Sequence, residues 1–473
     1  LRRLAALESL LDDPNGPLAE VGDVEARAML SAFRQDATQR RYADWADLEE
    51  YCRRSADPVG RMLLRLHGEG NEAHRASDAL CTALQVLNHL QDLVPDRTAL
   101  NRIYLPLPWM AMAGGEDAFF EVANPSRRAV LDAALDRVET ALETAAPLPR
   151  LLRSRLRRQA AVTLDLAWRL LARLRAADPV IGRVALTKAD FAAAFVRAAL
   201  PPPSDAAVVR ARVGRAGSSF ARGMAVLKGE RRRALYAVYG FCRAVDDIAD
   251  AAMPEVEKRR FLVEWRRKLA QPDCAVSREL AWAREAYSIP LDDCEAMIAG
   301  METDAADRVR LQRGGDLALY CLRVAGSVGR MSVRIFGVPE AVGFAARLGN
   351  TLQLVNILRD IDEDAERNRV YVPLNYLGRQ NIADSAASDV VAHPGFEVLC
   401  GVIARQAAQG FAGAERDIMQ YDPKLMRPAA VMMWGYKRLF EKMAARGWAY
   451  GSRSRPRLTK GEKLRMALLA LGR

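Results

Sequence analysis

This chain repeats itself, and the repetition limits its possible folds more than any other feature. The segment Tyr51-Cys-Arg-Arg-Ser-Ala-Asp-Pro-Val-Gly-Arg-Met-Leu-Leu-Arg-Leu-His-Gly68 matches Tyr320-Cys-Leu-Arg-Val-Ala-Gly-Ser-Val-Gly-Arg-Met-Ser-Val-Arg-Ile-Phe-Gly337. Further along, Gln85, Asn88, Asp92, Asp96, Arg102, Tyr104 and Pro106 match Gln353, Asn356, Asp360, Asp364, Arg369, Tyr371 and Pro373 in order. The spacing is about 269 residues, too long for a stacked solenoid repeat. Two tandem copies of one domain are therefore expected. Three consecutive prolines in Ala199-Leu-Pro-Pro-Pro-Ser-Asp205 forbid helix continuation and mark the seam. The expected division is a domain over 1–199, a linker over 200–206 and a domain over 207–473.

Ala, Leu and Arg dominate and β-branched alternation is scarce, so the chain is expected to be all-α. A hydrophobic content of 50% over 473 residues supports sizeable cores. The net charge is +11. The basic residues are scattered along helical stretches with few interleaved aromatics, and no nucleic-acid-binding signature accompanies them. Anionic substrates or an anionic membrane surface account for the charge as well. Seven cysteines without a CxxC pair and only four histidines argue against zinc and against a disulfide scaffold. A cytoplasmic protein, peripheral at most to the inner membrane, fits this pattern. No signal peptide or membrane-spanning run is visible.

Two acidic stretches carry the chemistry. One is Phe241-Cys-Arg-Ala-Val-Asp-Asp-Ile-Ala-Asp250 and the other is Gln353-Leu-Val-Asn-Ile-Leu-Arg-Asp-Ile-Asp-Glu-Asp364. Asp246 and Asp250, and likewise Asp360 and Asp364, stand four apart and share one helix face. A lone pair of this kind is usually a solvated face. Here apolar runs precede both pairs, so the carboxylates are expected to line a cavity, where they are costly without a cation. Mg²⁺, a hard ion that takes oxygen ligands and bridges to phosphate, is the natural partner. Gln353 and Asn356 fall within one helical turn and share the face of Asp360.

The second copy closely resembles the squalene and phytoene synthase family of head-to-head prenyl transferases. The resemblance rests on Gly217-Ser-Ser-Phe220, Tyr239-Gly-Phe-Cys-Arg243 with Asp246-Asp247-Ile-Ala-Asp250, Tyr320-Cys with Val324-Ala-Gly-Ser-Val-Gly329, and Gln353 to Asp364 followed by Arg369-Val-Tyr-Val-Pro373. Within the family, Gly300-Met-Glu and the stretch Val324 to Gly337 are similar to presqualene diphosphate synthases. The resemblance implies an isoprenoid-synthase helical bundle and Mg²⁺-dependent joining of two farnesyl diphosphates into presqualene diphosphate. It implies two or three Mg²⁺ ions with the diphosphate, held by Asp246, Asp250, Asp360 and Asp364. Arg243, Arg359 and Arg369 would grip phosphate oxygens, and Tyr320 would stand near the proton-loss step. Ser219, Phe220, Tyr239, Gln353, Asn356 and Tyr371 would contact substrate. Met297, Met301 and Met331 read as ordinary core rather than cavity wall. Ala221, Arg222 and Leu227-Lys228 depart from the usual family pattern near the site mouth, which leaves prenyl chain length open.

The first copy is similar to hydroxysqualene synthases through Ala32-Phe-Arg-Gln-Asp36, Tyr51 to Gly60 and Asn88-His-Leu-Gln-Asp92. It has no counterpart of the first aspartate motif, because the matching distance before Asp92 falls ahead of Leu1. Asp12-Asp13 is not a substitute, since Pro14-Asn15-Gly16 makes a turn there. The copy keeps a half site of Asp92, Asp96, Gln85, Asn88, Tyr51 and Arg102. Conversion of presqualene diphosphate to hydroxysqualene and a purely supporting role both stay open for it. For the whole chain, phytoene synthesis from geranylgeranyl diphosphate and a non-catalytic scaffold are the alternatives. No dinucleotide-binding GxGxxG unit appears, so no nicotinamide step is expected here, and a separate reductase or oxidoreductase would form squalene downstream. The stretch Arg453–Arg473 mixes Arg and Lys with Leu, Met and Ala. It fits either an anionic membrane surface or a helix packed on the domain.

Overall fold

The computed structural model describes residues 2–13, 15, 23–153, 155–215, 227–448 and 456–471. The fold is helical throughout, as the composition implies. Among the described residues, strand pairing is confined to one parallel ladder, β1 (Val309–Arg310) beside β2 (Arg369–Val370), with Val309 opposite Arg369. The chain divides into two compact units. The first holds residues 1–208 together with Ala251–Glu257 and Asp273–Ala275; the second holds the remainder. Residues 201–204, with the three prolines, are non-helical.

In the first unit the helices that matter are α1 (Asp23–Thr38), α2 (Trp45–Ser55), α3 (Asp57–Leu66), α4 (His74–Gln91), α5 (Leu93–Leu100), α6 (Arg127–Ala145), α7 (Leu156–Ala176) and α8 (Lys188–Ala198). Helix α4 buries Leu80, Ala83, Val86, Leu87 and Leu90 at helical spacing and packs on α3 and α6. Gly60 of α3 permits the approach, because a Cβ there would meet Ser77 Oγ at 2.5 Å.

In the second unit α9 (Gly229–Asp250) is followed by α10 (Leu291–Asp304), α11 (Gly314–Cys321), α12 (Ser327–Phe336), α13 (Val342–Arg359), α14 (Ile361–Glu366), α15 (Pro394–Asp417), α16 (Arg427–Arg446) and α17 (Lys460–Leu471). A π-helical turn, Leu322–Gly326, joins α11 to α12. The stripe Leu235, Val238, Phe241, Val245 and Ile248 turns α9 inward and leaves its acidic end at a cavity. Helix α13 meets α12 and the π-helical turn before it backbone to backbone. A Cβ on Gly329 would stand 2.4 Å from Ala345 O, and one on Gly349 would stand 2.4 Å from Ala325 O. Gly329 is the repeat partner of Gly60, so both copies use glycine for the same contact.

The sequence reading placed Asp360 and Asp364 on one continuous helix. The structure ends α13 at Arg359, and Asp360 takes φ −105°, ψ 16° before α14 begins. The Asp364 amide still donates to Asp360 O at 2.8 Å, so the pair stays one turn apart. The first copy bends alike: Asp92 has φ −103°, ψ 19°, and the Asp96 amide donates to Asp92 O at 2.8 Å. The described part of the C-terminal stretch, α17, packs on α16. Glu462 accepts from Arg438 Nε at 2.9 Å and from Lys442. This is the domain-packed arrangement of the two that the sequence left open.

Candidate active site

The second unit encloses a polar cavity of about 500 Å³. The two spaced aspartate pairs line it: Asp246 and Asp250 at the end of α9, Asp360 and Asp364 around the break between α13 and α14. Arg243, Arg359 and Arg369 line it too, as do Tyr239, Gln353, Asn356, Tyr320 and Tyr371. Residues more than a hundred positions apart in the sequence thus line one cavity. Ser219 and Phe220 lie outside the described residues. Glu363, which the sequence reading passed over, is also on the wall.

Burial and mutual repulsion raise some of these carboxyls above their ordinary range. Burial, then the neighbouring Asp250, pushes the Asp246 carboxyl up to about 7. Its side chain is 35% accessible, and it lines the cavity. Burial, then Asp360, pushes Asp364 up to about 8. These are the environments described for like charges sharing one desolvated site. Arginines partly offset the crowding. Arg243 Nη1 donates to Asp246 Oδ2 at 2.7 Å and also reaches Asp247. Arg359 forms a fork on Asp360 at 2.7 and 2.5 Å. Arg369 Nη1 donates to Asp250 Oδ1 at 2.7 Å, with Arg367 on the other oxygen at 3.0 Å.

One residue essential to this geometry was missed from sequence. Asp304, at the end of α10, is 5% exposed. It accepts from Tyr320 OH at 2.8 Å and from Tyr371 OH at 2.6 Å. The two rings stack at 4.8 Å. Arg369 Nη2 closes the cluster on the Asp304 carbonyl at 2.7 Å and the Ala249 carbonyl at 2.9 Å. Burial raises the Asp304 carboxyl to about 6, and Arg369 and the two hydroxyls keep it from rising further. A signal was available: Asp36 stands before Tyr51 much as Asp304 stands before Tyr320.

The polar cavity shares Val324, Val328, Gln353, Asn356 and Tyr436 with an apolar one of about 210 Å³ that extends between α12, α13 and α16 to Phe336 and Phe344. Asn356 Nδ2 donates to Gln353 Oε1 at 3.1 Å, while the buried Asn356 Oδ1 has no partner among the described residues. Met301 and Met331 are core, but Met297 reaches the cavity wall, so that reading holds for two of the three.

Among its described residues the first unit repeats the tyrosine cluster beside one aspartate pair, Asp92 and Asp96. Tyr51 OH donates to Asp36 at 3.1 Å, Arg102 Nη1 donates to Tyr104 OH at 3.0 Å, and Arg102 pairs with Asp36 at 3.1 Å. Gln85 and Asn88 sit on α4, and Asp92 caps its end, 3.8 Å from Arg183. Burial and Asp92 raise the Asp96 carboxyl. His89, where the second copy has Ile357, stacks on Tyr104 at 3.3 Å. Burial, reinforced by Arg102, holds its imidazole neutral, down to about 3.

Among the described residues no three acidic, histidine or cysteine side chains converge tightly enough to enclose one metal ion. The donors present on the cavity wall are carboxylate oxygens of Asp246, Asp250, Asp360 and Asp364, the ligand type a hard divalent ion such as Mg²⁺ takes.

The site is thus a helical unit with paired aspartates on a polar pocket that continues into an apolar one. The squalene/phytoene synthase family model matches residues 4–190 and again 213–462, and the chain belongs to that family. The presqualene diphosphate synthase of Rhodopseudomonas palustris is 36% identical over 261 residues, covering 53% of this chain and 92% of that protein. The hydroxysqualene synthase of the same organism is 39% identical over 179 residues, covering 37% of this chain and 61% of that protein. A dehydrosqualene synthase crystallised with a ligand matches the fold with a TM-score of 0.50 at 23% identity, over 57% of this chain and 95% of its own.

Proposed function

We propose that the domain over 207–473 is a Mg²⁺-dependent prenyltransferase that joins two farnesyl diphosphates head to head into presqualene diphosphate. The observation that carries this is the convergence of both aspartate pairs and three arginines on one cavity that continues into an apolar one. Asp246, Asp250, Asp360 and Asp364 would hold Mg²⁺, which when bound would supply neutralisation of the charge that develops on the diphosphate. Arg243, Arg359 and Arg369 offer fixed forks of N–H donors to phosphate oxygens as the C1–O bond of the first substrate breaks. The apolar pocket keeps water from the allylic cation. The 2,3 double bond of the second substrate attacks C1, and loss of a C1 proton to the released diphosphate closes the cyclopropane.

In this account Tyr320 and Tyr371 stay neutral, because burial and the adjacent Asp304 raise both hydroxyls well above their ordinary value. Both protons are committed to Asp304, so the oxygen lone pairs are what the cavity meets. For the domain over 1–199, a second reading is conversion of presqualene diphosphate to hydroxysqualene. Its support is the retained cluster of Asp36, Tyr51, Arg102 and Tyr104 and the half pair Asp92 and Asp96. A reductase or oxidoreductase would act downstream.

The test offers farnesyl and geranylgeranyl diphosphate separately, with Mg²⁺ and without nicotinamide, and identifies products by mass. Presqualene diphosphate from the first supports the proposal. Turnover of geranylgeranyl diphosphate alone moves the assignment to phytoene synthesis, and inertness toward both leaves the scaffold reading.

A further inference from the structure

The repeat sets His89 of α4 against Ile357 of α13. The two helices end alike: the Asp92 amide donates to Asn88 O at 3.0 Å, and the Asp360 amide donates to Asn356 O at 2.9 Å. Both side chains are buried, His89 at 6% exposure and Ile357 at 4%. Ile357 lies on the wall of the polar cavity in the second unit, so the repeat assigns His89 to the matching wall in the first. There it brings a polar ring where the second unit has a hydrocarbon. Its Nε2 is buried and has no hydrogen-bond partner among the described residues. A buried nitrogen in that state is costly unless a polar group meets it. Water is the common occupant of such a position. The ring is fixed by its neighbours, stacked on Tyr104 at 3.3 Å and 6.1 Å from Tyr51.

We propose that His89 holds the water molecule that captures the carbocation in the first unit, and that Nε2 accepts its proton. This rests on the reading of that unit as converting presqualene diphosphate to hydroxysqualene. In that reaction the C–O bond to the diphosphate breaks, and the bonding pair leaves with the diphosphate. The cyclopropyl cation rearranges, a water lone pair forms the new C–O bond, and the resulting oxonium must lose one proton. A neutral imidazole with its hydrogen on Nδ1 presents a lone pair at Nε2. That lone pair orients the water through one O–H and then takes the proton. Burial disfavours a charged imidazole, but an oxonium is a far stronger acid than an imidazolium, so the transfer still runs downhill. The proton passes on to the released diphosphate, and the net change is water in and hydrogen diphosphate out. Tyr51 is a poor rival for this part, because its hydroxyl already donates to Asp36. Ile357 offers no lone pair, which fits a second unit whose product contains no added water.

The test supplies presqualene diphosphate and Mg²⁺ to the full chain carrying Asp246→Asn with Asp360→Asn, so that turnover reports the first unit. Diphosphate release and hydroxysqualene are measured together. His89→Ile installs the residue of the second copy, and His89→Gln keeps a hydrogen-bonding group at similar reach. For His89→Ile, hydroxysqualene per diphosphate released should fall about tenfold, while diphosphate release stays within about threefold. Polyenes formed by proton loss from carbon should take its place. His89→Gln should retain more of the ratio than His89→Ile. An unchanged ratio in His89→Ile would overturn the proposal alone. So would equal loss in both variants, or a fall in diphosphate release that matches the loss of hydroxysqualene, since either marks a shape-filling role. No hydroxysqualene before His89 is altered would overturn the proposal together with the reading it rests on.

Discussion

Asp304 shows what a single buried carboxylate does in this protein. It fixes two tyrosine hydroxyls at once, so Asp304→Asn removes one acceptor and adds a competing donor. We expect kcat to fall about 100-fold with KM within a few-fold, as for loss of a group that positions a proton-transfer site; steady-state kinetics with farnesyl diphosphate would show it. The raised carboxyls of Asp246 and Asp364 give a second expectation. Their folded values, about 7 and about 8, lie above the ordinary carboxylate value. The folded state therefore binds more protons than the unfolded state across that window, and metal-free stability falls as pH rises toward 8. Mg²⁺ needs the ionised form, so its stabilising effect should be larger at pH 8 than at pH 6; melting scans with and without the ion would measure it. The aspartate pairs were legible because their spacing is local, and the arginines were supplied by the family resemblance. Asp304 was not, because its partners lie 16 and 67 residues away and only the fold joins them.

At the scale of elements, the site depends on how closely α13 approaches α12 and the π-helical turn before it. Gly349→Ala would place a methyl against a backbone carbonyl that cannot swing aside. A loss of about 2 kcal/mol is expected from overpacking of this kind, read as a lower urea midpoint at unchanged slope. Helices could be read from residue choice and periodicity, since apolar stripes such as that of α9 follow the helical period. The bend at Asp360 could not. It is a local departure in φ and ψ with the i to i+4 hydrogen bond kept, and no Gly or Pro stands at it. The same bend at Asp92 shows that the geometry belongs to the repeated motif rather than to one copy.

For the whole molecule, the repeat was plain in the sequence, and the family model finds it twice. Less legible was the division of the chain. Ala251–Glu257 and Asp273–Ala275 group with the first unit although they lie well past the proline seam. Trp45 N and Trp109 Nε1 hold Glu257 there at 3.1 and 2.7 Å, a pairing more than 140 residues long that no local pattern announces. The central claim is that condensation occurs at the complete aspartate set of the second unit and not at the half set of the first. The most direct measurement compares two double variants, Asp246→Asn with Asp360→Asn and Asp92→Asn with Asp96→Asn, for presqualene diphosphate formed from farnesyl diphosphate and Mg²⁺. The account predicts a loss of about 1000-fold or more in the first, as fits removal of groups that stabilise the leaving diphosphate, and parent-like formation in the second. Parent-like formation in the first variant, or its loss in the second alone, would contradict it.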